Sequence, residues 1–199
     1  MQQRALATRE RLLRAAAEIF AANGYAGTSL TEIHERAGVT KGAIYFHYPN
    51  KESVAEAIVE RQLERWPALV RRFCNEESDP VVIVVALTFA ITRAFRDEPV
   101  MRAGARLALD RNVGAWEIAF TEVLEAAGRA GELAEGVSPE EAARVVVSSF
   151  FGVFQVSDTM GRADTEERLR EMWRVVLFGI QAEPSPRATV RRAEALALT

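Results

Sequence analysis

Residues 28–51, TSLTEIHERAGVTKGAIYFHYPNK, decide the fold of this chain. Ser29 stands just ahead of an apolar-periodic run, and Glu32 follows three residues later. That is the spacing of a capping box, in which a hydroxyl and a carboxylate satisfy free backbone N–H groups at a helix start, with Thr28 a second capping hydroxyl. Leu30, Ile33 and Ala37 fall on one face of this helix. Gly38 supplies the left-handed residue that ends it, and Thr40 caps the next helix almost at once, so the connection is very tight. The second helix, from Thr40 to about His47, turns Val39, Ala43 and either Phe46 or Ile44 toward the first. Lys41, Gly42, Tyr45 and His47 are left facing outward. A helix pair joined this closely reads as a DNA-reading helix-turn-helix. Lys41 suits a phosphate or a guanine edge, Gly42 lets the backbone approach the groove, Tyr45 suits a phosphate or a thymine methyl, and His47 suits a phosphate. Pro49 stops the helix, and Asn50 and Lys51 open another whose N-terminal N–H groups can hold a further phosphate. The candidate DNA-binding residues are therefore Thr28, Ser29, Thr40, Lys41, Gly42, Tyr45, His47 and Lys51. Phe46 and Tyr48 are expected to pack the small helical core.

The same periodicity extends in both directions. Leu12, Leu13, Ala16, Ile19 and Phe20 form a helical stripe over Thr8 to Ala22, stopped by Asn23-Gly24, and close a three-helix head over residues 1–50. A fourth helix runs from Lys51 to Phe73 with Pro67 inside it, which predicts a kink or break near Arg65. Further helices follow from Pro80, after Pro99, from Trp116, from about Glu140 and from Glu166, ending near Ile180. The whole is all-α: a head, a helical body over 51–183, and a short helix or tail over 184–199. The helix from Glu140 to Thr159 is apolar almost all round and must be covered on every side. In a chain this short it is expected to meet a second subunit as well as its own core, with Ser148, Ser149, Gly152 and Gly179 permitting close approach. Two-fold symmetry also matches a palindromic operator.

Composition narrows the function. The chain has 199 residues and a net charge of −3, yet residues 1–50 hold six basic and four acidic side chains, leaving a +2 head on a −5 body. That division suits a protein that holds phosphates with one end. Cys74 is the single cysteine, which excludes an internal disulfide and any multi-cysteine metal site and suits a cytoplasmic location. The first residues lack a signal-peptide core, and no apolar run reaches the ~20 residues of a membrane span. His34 and His47 both fall inside the DNA-reading motif and lack metal-ligand spacing, and neither a phosphate-cradling loop nor a nucleophile elbow is present. No catalytic residue, metal or cofactor is expected.

The run GYAGTSLTEIHERAGVTKGAIYFHYPNKESV, with LLRAAAEIF ahead of it, resembles the N-terminal domain of the TetR family of bacterial transcriptional regulators over Arg9 to about Ile58. That resemblance implies a dimer built through the last two body helices; Ser149, Gly152, Val156, Leu169, Trp173 and Val176 are the interface candidates. Beyond Ile58, PVMRAGARLAL, a tryptophan opening the seventh helix and REMWRVVLFGI resemble the γ-butyrolactone autoregulator receptors of Streptomyces. The resemblance implies a repressor released from a palindromic operator by a small signalling lactone, with Trp116 lining the pocket and Gln62 a polar contact. Gly152 is followed by Val153 where such receptors commonly carry threonine, so one ligand hydroxyl is missing. Furan carboxylic acids, butenolides or an antibiotic are alternative ligands, as is no ligand; an acid calls for a cation such as Arg106. A pocket for a small amphiphile needs apolar walls and a few polar points. Val85, Phe89, Trp116, Phe120, Phe151 and Val156 are candidate walls, and Gln62, Thr88, Ser148 and Gln155 candidate polar points. The partners expected are operator DNA, the effector and a second copy of the chain.

Overall fold

A computed structural model describes residues 2–111, 114–161 and 164–198. Among these the chain is built from helices: α1 (Gln2–Asn23), α2 (Leu30–Ala37), α3 (Lys41–His47), α4 (Lys51–Glu76), α5 (Pro80–Asp97), α6 (Pro99–Arg111), α7 (Gly114–Ala130), α8 (Pro139–Thr159), α9 (Thr165–Ile180) and α10 (Pro186–Leu198). The tail expected as a short helix or frayed end is α10. The only extended pairing among the described residues is the antiparallel bridge of Leu133 with Gln181. The chain divides into two compact units, Met1–Pro67 with Ala94–Val113, and Ala68–Arg93 with Gly114–Thr199.

The first unit is a head closed by a helix distant in sequence. Leu12, Leu13, Ala16 and Phe20 of α1, Ile33 and Ala37 of α2, Ile44 of α3, and Val54, Ala55 and Ile58 of α4 are buried together, with Ala103 and Leu107 of α6 completing the same core. Burying such apolar side chains removes ~25 cal/mol per Å² from water, and it is this shared core that holds helices as short as α2 and α3 in place. The motif by itself pointed to a three-helix head over 1–50; the compact unit also takes in the first part of α4 and all of α6.

The second unit packs α7, α8, α9 and α10 with most of α5. Every residue from Val81 to Phe89 is buried, as the apolar run predicts for a central helix. Thr88 is tolerated there because its Oγ1 donates to Val85 O at 2.7 Å and accepts from Trp173 Nε1 at 2.8 Å. Val190, Ala193 and Leu196 of α10 are buried in this unit, and Arg192 donates to Glu77 and Asp79 at the start of α5. Of the kink or break expected near Arg65, the break does not occur: α4 is one helix with Pro67 inside it. The carbonyl that Pro67 deprives of a partner belongs to Leu63, an exposed residue. The division between the units nevertheless falls at that proline.

Candidate nucleic-acid interface and effector-binding core

The helix-turn-helix is held by the groups its sequence suggests. Ser29 Oγ accepts from Glu32 N at 3.2 Å, and Glu32 Oε2 accepts from Ser29 N at 2.8 Å, a complete capping box. Gly38 adopts φ +61° and its N–H donates to Glu35 O at 3.0 Å, while Thr40 Oγ1 accepts from Ala43 N at 3.3 Å. These bonds use most of the free backbone groups in the turn, so the angle between α2 and α3 has little freedom.

Within α3, Ile44 is fully buried and Tyr48, one turn later, is 3% exposed. Burial pushes the Tyr48 phenol above its ordinary range, against the lowering influence of Arg9, whose guanidinium stands 5.7 Å from the ring centroid. With positions 44 and 48 facing inward, residue 46 must face out, because two residues advance a helix by about 200°. Phe46 is accordingly 80% exposed, with its ring edge against His47 at 5.1 Å; the expectation that it packs the core is corrected. Lys41, Gly42, Tyr45 and Phe46 are the exposed residues of α3, and a helix places them side by side. A Cβ at Gly42 would meet nothing within 4 Å.

The remaining DNA candidates divide. Ser29 and Thr40 are exposed but engaged as caps, and His47 is half-buried. Thr28 is 4% exposed and donates to Gly24 O at 2.7 Å, which places its hydroxyl inside the fold. Lys51 lies 4.4 Å from the centroid of the Tyr25 ring and donates to Tyr25 O at 2.8 Å and Thr28 O at 2.9 Å, so it ties the turn after α1 to α4 rather than reaching outward. Several arginines counted in the basic head also act internally. Arg11 Nη2 donates to Ala37 O at 2.6 Å, closing the C-terminus of α2, and Arg36 pairs with Glu18 at 3.0 Å. Arg4 and Arg14 remain exposed on α1. Arg106, considered as a partner for an acidic ligand, donates from Nη1 to Ala21 O at 2.9 Å and Ala22 O at 3.2 Å, and so caps α1.

In the second unit Trp116 is 5% exposed and meets Phe151 edge to face at 5.5 Å, and Phe150 meets Phe151 at 5.3 Å. Val85, Phe89 and Phe120 are fully buried in the same unit. The polar points are distributed otherwise than expected. Ser148 and Gln155 are exposed, Gln155 donating to Thr159 Oγ1 at 3.3 Å, and the Thr88 hydroxyl is already used in both directions. Ser157, which sequence reasoning passed over, is 1% exposed with no partner for its Oγ among the described residues. It follows Phe150 by seven residues, a helical repeat that puts both on the same side of α8. Gln62 belongs to the first unit, where it is 2% exposed.

Of the interface candidates, Leu169 and Trp173 are fully buried in the core of their own unit and do not belong to an open face. The exposed apolar side chains of α8 and α9 are Val145, Val156, Val175 and Phe178. Gly152 and Gly179 are exposed among them, and a Cβ at either would meet nothing within 4 Å. Ser149 and Val176 are half-buried. No helix among the described residues is long and apolar enough to cross a membrane.

Residues 12–58 match the family model described as bacterial regulatory proteins, tetR family. The chain is 34% identical over 187 residues to the A-factor receptor protein of Streptomyces griseus, a match covering 90% of this chain and 66% of that protein. A solved γ-butyrolactone receptor described as ArpA-like is 31% identical and superposes with a TM-score of 0.83, covering 98% of each chain. The TetR family protein CprB of Streptomyces coelicolor, solved in complex with its biological operator sequence, is 32% identical with a TM-score of 0.78, covering 98% of this chain and 96% of that one.

Proposed function

Because the chain belongs to the tetR family of bacterial regulatory proteins, a family of DNA-binding regulators and not of enzymes, we propose that it is a repressor that holds a palindromic operator as a dimer and releases it when a small γ-butyrolactone-type signalling molecule binds its body. The observation that carries this reading is the open face of α3, where Lys41, Gly42, Tyr45 and Phe46 stand side by side on a helix whose other side is locked into a core. Lys41 supplies the charge for phosphate or guanine, Tyr45 and Phe46 supply apolar surface for thymine methyls and sugar faces, and Gly42 admits the backbone. Thr28 and Lys51 serve this face by fixing the turns around it.

The effector reading rests on the buried aromatic group of Trp116, Phe150 and Phe151, with the Ser157 hydroxyl on the same helix as a polar point. It is supported by the similarity to a γ-butyrolactone receptor along nearly the whole chain. A neutral lactone is favoured over a furan carboxylic acid because Arg106, the cation considered for an acid, is committed to the end of α1. The dimer is proposed to close over the exposed stripe of α8 and α9. Two copies would then present two α3 helices at one fixed half-site spacing, and an effector that binds better to a different spacing opposes DNA. An effector with equal affinity for both arrangements would change nothing.

Fluorescence anisotropy of a labelled duplex from the gene's own upstream region tests this directly. The expected outcome is sequence-selective, salt-sensitive binding that a synthetic 2-acyl-γ-butyrolactone reverses. Trp116→Ala is expected to bind the duplex as the wild type does and to fail to release it. Normal release by that variant would remove Trp116 from the effector site.

A further inference from the structure

Several cations of the first unit serve the fold: Arg11 the end of α2, Arg36 its pair with Glu18, Arg106 the end of α1, and Lys51 the turn around Tyr25 and Thr28. Arg4 is an exception. It is exposed, and its guanidinium has no hydrogen-bond or ion-pair partner among the described residues; only its carbonyl is engaged, by Thr8 Oγ1 at 2.9 Å. The first residue of α1 in the buried core is Leu12, which is also where the family match begins. The part of α1 ahead of it, Gln2 to Arg11, is about 15 Å of helix.

Two contacts show where that stretch goes. Arg11 Nη2 donates to Ala37 O at 2.6 Å and Gly38 O at 3.3 Å, in the turn before α3, while the Arg9 guanidinium stands 5.7 Å from the ring centroid of Tyr48, just past the end of α3. Residues 9 and 11 are about 3 Å apart along α1 but about 200° apart around it. One meets each end of α3, so α3 crosses α1 at this point instead of running along it. Downstream of the crossing α1 packs on α2, with Glu18 paired to Arg36 at 3.0 Å. The upstream turns therefore emerge on the side of α3 opposite α2. Arg4 precedes Arg11 by seven residues and shares its face, the one turned toward the start of α3.

We propose that Arg4 holds a backbone phosphate of the operator, on the strand across the major groove from the one that α2 meets. A helix in that groove lies between two phosphate ridges about 12 Å apart. From residue 10 to residue 4 α1 advances about 9 Å, enough with the arginine side chain to reach from the middle of the groove to a ridge. Such a contact fixes the register of α3 on the duplex and adds affinity without reading a base.

The inference rests on the repressor reading, and the test separates the two. Affinity of the full chain is measured by fluorescence anisotropy across a salt series, on the labelled upstream duplex and on a scrambled one. Each phosphate contact contributes about 0.9 to the slope of log affinity against log salt. Arg4→Gln removes one contact from each of two heads, so its slope is expected to be shallower by about 1.8. Its preference for the upstream duplex and its melting temperature are expected to match wild type. Arg4→Lys keeps the charge and is expected to restore the slope. Arg14→Gln deletes another exposed arginine of α1, downstream of the crossing, and is expected to leave the slope as it was. A wild-type slope in Arg4→Gln overturns the proposal, as does a lysine that restores nothing. An equal loss in Arg14→Gln would make the effect one of net charge, and a loss confined to the upstream duplex would make Arg4 a base contact; either result also overturns it. A wild-type protein that binds neither duplex removes the repressor reading and this inference with it, whereas selective wild-type binding alongside an unaffected Arg4→Gln removes this inference alone.

Discussion

Glu132 shows how much one side chain's surroundings decide. Burial, then the neighbouring Asp79 carboxylate and a hydrogen bond shared with it, raise its carboxyl above the ordinary range; Arg192 opposes and Glu77 adds to the shift. Arg192 is already engaged by Glu77 at 2.7 Å and Asp79 at 3.1 Å, and Glu132 Oε2 is buried without a partner among the described residues. A carboxyl whose folded pKa is raised binds its proton more tightly folded than unfolded, so its contribution to stability falls as pH climbs from the unfolded pKa through the folded one. Glu132→Gln is therefore expected to raise the melting temperature at pH 7, with the gain fading as pH drops toward about 4.5, the usual glutamate range. A melting temperature unchanged or lowered at pH 7 would show that the charge is comfortable there. Phe46 is the residue-scale lesson at the DNA face. Exposed at 80%, it adds little to the core, so Phe46→Ala is expected to leave thermal stability within about 0.5 kcal/mol of wild type. Operator affinity measured by anisotropy is expected to drop about tenfold, as one lost apolar contact with a base or sugar would cause.

The α2–turn–α3 unit depends on its termini more than on its length, because helices of eight and seven residues are too short to persist alone. Ser29→Ala removes the capping box and is expected to cost about 1 kcal/mol by chemical denaturation. Gly38→Ala has a different origin. The added Cβ would meet only the flexible tip of Arg11 at 3.2 Å, but φ +61° is strained for any residue with a side chain, which adds about 1 kcal/mol. Both variants are expected to weaken operator binding beyond their loss of stability, because the turn fixes the direction of α3. If either bound the operator like wild type while melting lower, the turn would be a stability element only.

For the molecule as a whole, the unburied face of α8 and α9 carries the assembly argument. Val175 and Phe178 are 74% and 68% exposed and lie three residues apart on α9, with Val145 and Val156 exposed on α8. A double substitution Val175→Glu, Phe178→Glu is expected to yield a helical monomer by light scattering, since neither side chain contributes to the core of its own chain. Its operator affinity is expected to collapse, because one α3 helix reads only half a palindrome. Trp173→Ala should behave in the opposite way. It deletes a fully buried side chain and the bond to Thr88, and is expected to cost on the order of 3–5 kcal/mol in unfolding experiments without acting first on assembly. A dimeric double-glutamate variant would move the interface elsewhere.

The amino-acid sequence alone determined the helix-turn-helix and the run of helices, because both are local. Caps at Ser29 and Thr40, the left-handed Gly38 and the 3.6-residue spacing of apolar side chains act over a few residues, and α2 begins at Leu30 and α3 at Lys41 as that chemistry requires. The buried run at Val81 to Phe89 was legible for the same reason. Tertiary structure decided which face each helix turns inward and what the long cations do. Phe46 and Ile44 are equally apolar on paper, and only the position of the α1–α2 core assigns one outward and the other inward. Leu169 and Trp173 read equally well as core or interface until the fold buries both fully, with Thr88 of α5 as the partner of the Trp173 N–H. Lys51, Arg11 and Arg106 carry charges that sequence assigns to a ligand or a phosphate. In the folded chain they meet backbone carbonyls at turns and helix ends 23 to 85 residues away, and no local pattern encodes contacts at that separation.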